Sequence, residues 1–300
     1  LATKHYSENS FLKVLVYGNI FISIAGLTQV LLTQILFDIE FDAHAFSYLA
    51  FILLSTFLQY NIQRGYNLIL MLGGLRINIF NRTLQFGNPI SINQVSNDRH
   101  KWLLINRKPM LLSILISLLT LFFLCNWLSW TSIYIMIGAE LVSTLYYMKP
   151  FNLRRFGFIK PIIVGAIWVI SCVLIPLLEN KLLNEQTYYF IAAQFCFITA
   201  LCVLFDVKDA EHDFYQGVKT YANAWGAKGA RLVAFLFMLG YMVCFYMFDT
   251  TPITNYINLA FLTATSILIF FTHEERHPYY YYLLIDGLMI LQLIITILSY

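Results

Sequence analysis

Of the 300 residues, 59% are apolar and only 12% are Asp, Glu, Lys or Arg, with a formal net charge of +3. Soluble chains carry about 45–50% apolar and about 25% charged residues. These proportions therefore exclude a disordered chain, a disulfide-stapled secreted domain and an ordinary soluble enzyme, and the small charge leaves no nucleic-acid footprint. What remains is an all-α, polytopic membrane protein.

Apolar runs of about 18 residues or more predict a single domain over 1–300 with nine transmembrane helices. They fall at 12–36, 44–66, 109–128, 130–148, 160–178, 187–206, 230–248, 254–272 and 279–299. The first run follows Lys4 and Lys13. It is longer than a signal-peptide core and no small-residue cleavage site follows it, so it reads as retained. With a cytoplasmic N-terminus and an outer C-terminus, 18 of the 19 Lys and Arg residues fall on the cytoplasmic side, leaving Lys181 outside. The outer turns instead hold Asp38, Glu40, Asp42, Glu179, Glu185 and Asp249. This split is the positive-inside pattern of a multi-pass protein of the cell membrane. Trp127, Trp130 and the run Tyr279–Tyr282 stand where an interfacial aromatic belt belongs. The five cysteines form no CxxC pair and read as small buried apolar residues.

The longest polar stretches are two cytoplasmic loops, about 67–108 and 207–229, and function is expected there. In the second, Asp206, Asp209 and Asp213 are spaced i, i+3 and i+7, so a continuing helix aligns them on one face. Lys208 and Glu211 then point elsewhere. Three carboxylates on one stripe repel unless a cation lies among them, and hard oxygen ligands at this density suit Mg²⁺ bridging to a phosphate. A solvated acidic loop is the plainer alternative, weakened by the position at a membrane boundary, where charge is expensive unless used.

Asp209-x-x-x-Asp213-x-x-x-Gly217-Val218-Lys219-Thr220, then Trp225-Gly226 and Lys228-x-x-Arg231, resembles the second aspartate-rich motif of the UbiA family of intramembrane prenyltransferases. Tyr146-Tyr147-Met148-Lys149-Pro150, leading to Pro161 and Gly165-Ala166-Ile167-Trp168, is similar to that family's link between its fourth and fifth helices. The resemblance implies a nine-helix bundle around a lipid-open cavity. It also implies Mg²⁺ held by Asp206, Asp209 and Asp213 as metal and catalytic residues, with a polyprenyl diphosphate donor and an aromatic or lipid acceptor as partners. The diphosphate departs and the acceptor traps the allylic cation. Asn61 stands where the family's first motif begins, but Gly65 and Ile69 replace its aspartates, and no Asp or Glu occurs between Asp42 and Asp98. Half of the implied metal site is missing.

Three alternatives follow. In one, Arg64 and other bases replace the lost metal charge against diphosphate, since Arg suits bidentate phosphate contact. Lys149, Arg154 and Lys219 are further candidates for holding the diphosphate. In the second, Arg64 pairs with Asp206 or Asp209, and a degenerate relative binds a lipid or partner without transfer. In the third, the bundle carries a transported solute.

His273-Glu274-Glu275-Arg276-His277 fits the H-E-x-x-H zinc signature, but Pro278 follows at once, no His lies downstream, and a charged turn is expected. Glu140 and Asp286 are acids inside predicted spans, where an inward-facing role is the default.

Overall fold

The computed structural model describes residues 10–73, 76–78, 83–85, 98–148, 151, 153–215, 217–249 and 251–299. In chain order its helices are α1 Ser10–Tyr17, α2 Ile20–Leu36, α3 Ala43–Gly73, α4 Asp98–Ile105, α5 Arg107–Leu124 and α6 Trp130–Tyr147. They continue with α7 Lys160–Val169, α8 Ile175–Glu179, α9 Glu185–Lys208, α10 Ala210–Tyr215, α11 Tyr221–Phe248, α12 Pro252–Phe271 and α13 Asp286–Ser299. Outside the helices, one short antiparallel ladder pairs Arg76–Asn78 with Thr83–Gln85.

Among the described residues, seven helical stretches are long and apolar enough to cross a membrane. An eighth forms if α1 and α2, bent by 61° at their junction, make one span. The bend lies at Gly18-Asn19, where Asn19 adopts the left-handed conformation (φ 61) that Asn tolerates better than most residues. α6 has 18 residues, but Glu140 and its hydroxyl side chains make it less apolar, and it stays outside that set.

Helix starts follow their sequences. Ser129 caps α6 by accepting from the Ser132 amide, and Asn184–Thr187 and Thr220–Asn223 form reciprocal boxes ahead of α9 and α11. Pro252 opens α12, where its missing N–H costs nothing. Two π-turns, Ile170–Leu174 between α7 and α8 and Tyr280–Ile285 ahead of α13, interrupt otherwise continuous spans.

α9 is the axis of the bundle. Phe190, Ala193, Ile198, Thr199, Leu201 and Val203 are at most 2% exposed and lie around its circumference, as expected of a helix buried on all sides. α7 approaches it through Gly165, where an added Cβ would meet the Thr199 hydroxyl. A polar chain then ties four helices across the apolar interior. Gln29 donates to Gln292 (3.3 Å), Gln292 to the Tyr241 hydroxyl (3.2 Å), and Tyr241 to Asn258 (2.7 Å). Such bonds between membrane helices contribute roughly 0.6–1.7 kcal/mol each.

α5 and α6 lie at the periphery, with Leu111, Leu115, Leu119, Phe122 and Phe123 exposed as a face suited to lipid. Trp127 and Trp130 are exposed at the turn between them, in keeping with a belt position. The tyrosine run departs from that expectation. Tyr281 is fully buried because the π-turn rotates it into the core, where its hydroxyl donates to the His273 carbonyl (2.9 Å). Glu140 also departs from the inward default, being exposed on the outer face of α6, whereas Asp286 is buried. Cys172 is buried and the other four cysteines are half-buried, all as free thiols.

Candidate functional site

Asp206 belongs to the last turn of α9, Asp209 ends that helix, and Asp213 lies in α10. The continuous helix expected through all three is interrupted at Asp209 (φ −94, ψ 4). Winding resumes at once because the Asp213 amide donates to the Asp209 carbonyl (2.9 Å). Gly217, at φ 71, then turns the chain toward Thr220 and α11, a conformation that favours glycine.

Lys160, the first residue of α7, fills the space between two of these acids. Its ammonium stands 2.6 Å from Asp206 Oδ1 and 2.7 Å from Asp213 Oδ2. Both carboxylates are buried, and the lysine side chain is 10% exposed. A cation at a helix N-terminus opposes the helix dipole, and the paired carboxylates supply the compensation. Arg154 reaches Asp213 at 3.0 Å and Asp209 at 3.9 Å, and Lys208 reaches Asp209 at 3.2 Å. Three acids thus meet three bases. Burial works to raise the Asp209 pKa, but Lys208, Lys160 and Arg154 outweigh it and hold this carboxyl below its usual range. For Arg154, burial opposes the charge, yet Tyr146 and the Asp213 and Asp209 carboxylates raise its pKa.

Carboxylates are suitable donors for Mg²⁺, but here an ammonium takes the bridging place between Asp206 and Asp213. Among the described residues no group of three or more His, Cys, Asp or Glu side chains is placed to hold a metal ion. With an ammonium 2.6 and 2.7 Å from Asp206 and Asp213, the stripe as arranged does not fit the metal.

A second cluster adjoins the first. Lys208 donates to the Tyr282 hydroxyl (2.9 Å) and lies 4.5 Å from the centre of its ring, over which Arg99 also stacks at 4.7 Å. Arg99 then donates to the Asn19 side-chain oxygen and to the Val16 carbonyl (3.1 Å). Arg64 Nε donates to the same Asn19 oxygen (3.1 Å), and Asn19 Nδ2 donates to Asn61 Oδ1 (2.8 Å). Two guanidinium groups therefore share one neutral amide oxygen. Burial pulls Arg99 below its usual pKa, while Tyr282 works in the opposite direction. Asp286 is close enough for its charge to act on Lys208, Arg99 and Arg64.

The contacts run without a gap from Asp209 through Lys208, Tyr282, Arg99 and Asn19 to Asn61 and Arg64, so the two predicted halves of the site occupy one end of the bundle. Other expectations need correction. Lys208 turns toward Asp209 because the helix ends there, while Glu211 is exposed as expected. Arg154 serves the acids, and Lys219 is exposed. Arg64 bonds Asn19, and among the described residues the acids pair with Lys160, Arg154 and Lys208. Lys149 lies outside the described residues.

Lys160, Arg99 and Asn19 were not singled out by the sequence, and Tyr282 was expected only as part of an interfacial aromatic belt. Only the position of Lys160 at a span start on the same side as Asp206 hinted at its role. His273–His277 forms a turn, with the Arg276 amide bonded to the His273 carbonyl (3.0 Å), so the two imidazoles have no helical face to share. The chain matches no protein-family model, no curated protein and no solved structure at a significant level of similarity.

Proposed function

We propose that this chain is a nine-span, UbiA-like intramembrane prenyltransferase. Its N-terminus is cytoplasmic, and it moves a polyprenyl group from its diphosphate to an aromatic or lipid acceptor around a lipid-open cavity. The observation that carries the reading is the convergence of Arg64 and Arg99 on one Asn19 oxygen, with Lys208 across the Tyr282 ring. Two guanidinium groups held on one amide oxygen concentrate positive charge at one place, which suits an anion, and Arg matches phosphate bidentately. In the proposed reaction the allylic C–O bond breaks and its electron pair leaves on the diphosphate, whose charge Arg64 and Arg99 stabilise. The acceptor donates an electron pair to the allylic cation and loses a proton, for which Asp286 is the inward-facing base.

A second reading, binding of the lipid diphosphate without transfer, is favoured by the Lys160 bridge across the acid stripe. Diphosphate release from the purified protein, given polyprenyl diphosphates of several lengths and a panel of acceptors, decides between them. Release that requires an acceptor supports transfer. Thermal stabilisation by the donor without release establishes the binder, and neither response refutes both.

A further inference from the structure

At the end of the bundle that carries the acid stripe, α11 begins where α12 ends, and Arg231 joins the two. α11 is broken at Gly226 (φ 69, ψ 175), so Lys228 and Arg231 stand in the first turns of its straight portion. Cations there oppose the dipole of their own helix. Arg231 is held by α12 instead, donating to the Phe270 carbonyl with its guanidinium 5.9 Å from the centre of the Phe270 ring. Arg276, in the turn after α12, donates through Nε to the neighbouring Phe271 carbonyl (3.0 Å). It lies 5.9 Å from the Phe271 ring and 5.6 Å from the Tyr280 ring. Two arginines from separate segments thus converge on successive carbonyls at the C-terminus of α12.

Capping that terminus accounts for only part of their hydrogen-bonding capacity, since a guanidinium carries five N–H donors. Arg276 caps through Nε alone, which leaves both of its Nη groups for a second acceptor. Among the described residues, neither arginine nor Lys228 has a carboxylate partner, although Glu274 and Glu275 adjoin Arg276 in the chain. The acid stripe differs in this respect, because each of its bases meets an acid. Three cations without a counter-charge therefore stand together and call for an anion.

Their depth identifies its source. Phe270 and Phe271 are the last residues of a membrane-length helix, and their rings are 68% and 49% exposed. Lys228, Leu232, Leu236 and Leu239 stand at i, i+4, i+8 and i+11 on α11, and all four are exposed along one face. A basic group at the head of such a stripe matches a phosphate with acyl chains attached, and a soluble anion would leave the stripe unused. We infer that Lys228, Arg231 and Arg276 form a binding site for the headgroup of an anionic phospholipid, whose chains lie along α11. The site stands apart from the proposed prenyl transfer, whose diphosphate rests on Arg64 and Arg99.

The test uses the purified full chain in a non-ionic detergent, with phosphatidylglycerol, phosphatidylcholine or inorganic phosphate added separately, read by native mass spectrometry and thermal unfolding. Phosphatidylglycerol should stay bound and raise the unfolding temperature, less so as salt is raised, while phosphatidylcholine and inorganic phosphate should do neither. Lys228→Gln, at an exposed position that leaves both capping arginines in place, should weaken retention roughly fivefold, the effect of one basic charge at a membrane surface. Arg231→Gln combined with Arg276→Gln should weaken it further. Lys181→Gln, exposed at the opposite end of the bundle, should leave it unchanged. Equal retention of phosphatidylcholine or equal stabilisation by inorganic phosphate would overturn the inference, as would unchanged retention in Lys228→Gln or an equal loss in Lys181→Gln.

Discussion

Replacing Lys160 by Met keeps the length of the side chain but removes the ammonium that holds Asp206 and Asp213 together at 2.6 and 2.7 Å. At an effective dielectric constant of about 20, each contact is worth roughly 6 kcal/mol of Coulomb attraction. Most of that is offset by desolvation of the ions, and breaking a buried pair by removing one partner costs about 3–5 kcal/mol net. At about 2–4 °C per kcal/mol, Lys160→Met should lower the unfolding temperature in detergent by on the order of 10 °C. Adding Asp206→Asn to the same chain should recover part of that loss, because Asp213 keeps Arg154 as its partner and Asp206 no longer carries an uncompensated charge. The double-mutant comparison isolates the ion pair from the packing of the lysine stem. Lys160→Met also frees the carboxylates, so Mg²⁺ should stabilise this variant and leave the parent unchanged. An unfolding temperature within about 2 °C of the parent, or strictly additive losses in the combined variant, would refute the clasp.

Three further outcomes follow from the same geometry. Arg64→Ala should weaken the binding of a polyprenyl diphosphate while leaving the acid stripe paired, read as a lost donor-induced thermal shift with little change in the unliganded protein. Asp209 has a folded pKa below its unfolded value of about 4. Its stabilising contribution is therefore fully present above about pH 4 and lost as the pH falls through the folded pKa. Asp209→Asn should flatten that acid limb only slightly, since the side chain is 34% exposed and solvent screens it. Gly157→Ala would drive a Cβ into the backbone at Lys219-Thr220, and should destabilise by about 1–3 kcal/mol in a thermal melt, with Gly157→Ser no better.

The sequence by itself determined the helical, membrane-inserted character and most helix ends. Hydrophobic length and capping are local properties, and the expected 187–206 and 254–272 correspond to Glu185–Lys208 and Pro252–Phe271. It also singled out Asp206, Asp209, Asp213, Asn61 and Arg64, residues whose polarity is costly in an apolar bundle, and these do gather at one end. Only the tertiary structure decided what neutralises them. The ammonium between Asp206 and Asp213 comes from Lys160, more than forty residues earlier, brought there by the packing of α7 on α9 through Gly165. Asn19 enters the cluster because a 61° bend interrupts the first apolar run, and Tyr281 leaves the membrane surface because a π-turn rotates it inward. Such choices depend on which helix faces which, and a one-dimensional pattern of apolar lengths carries no term for the charge a distant segment will bring.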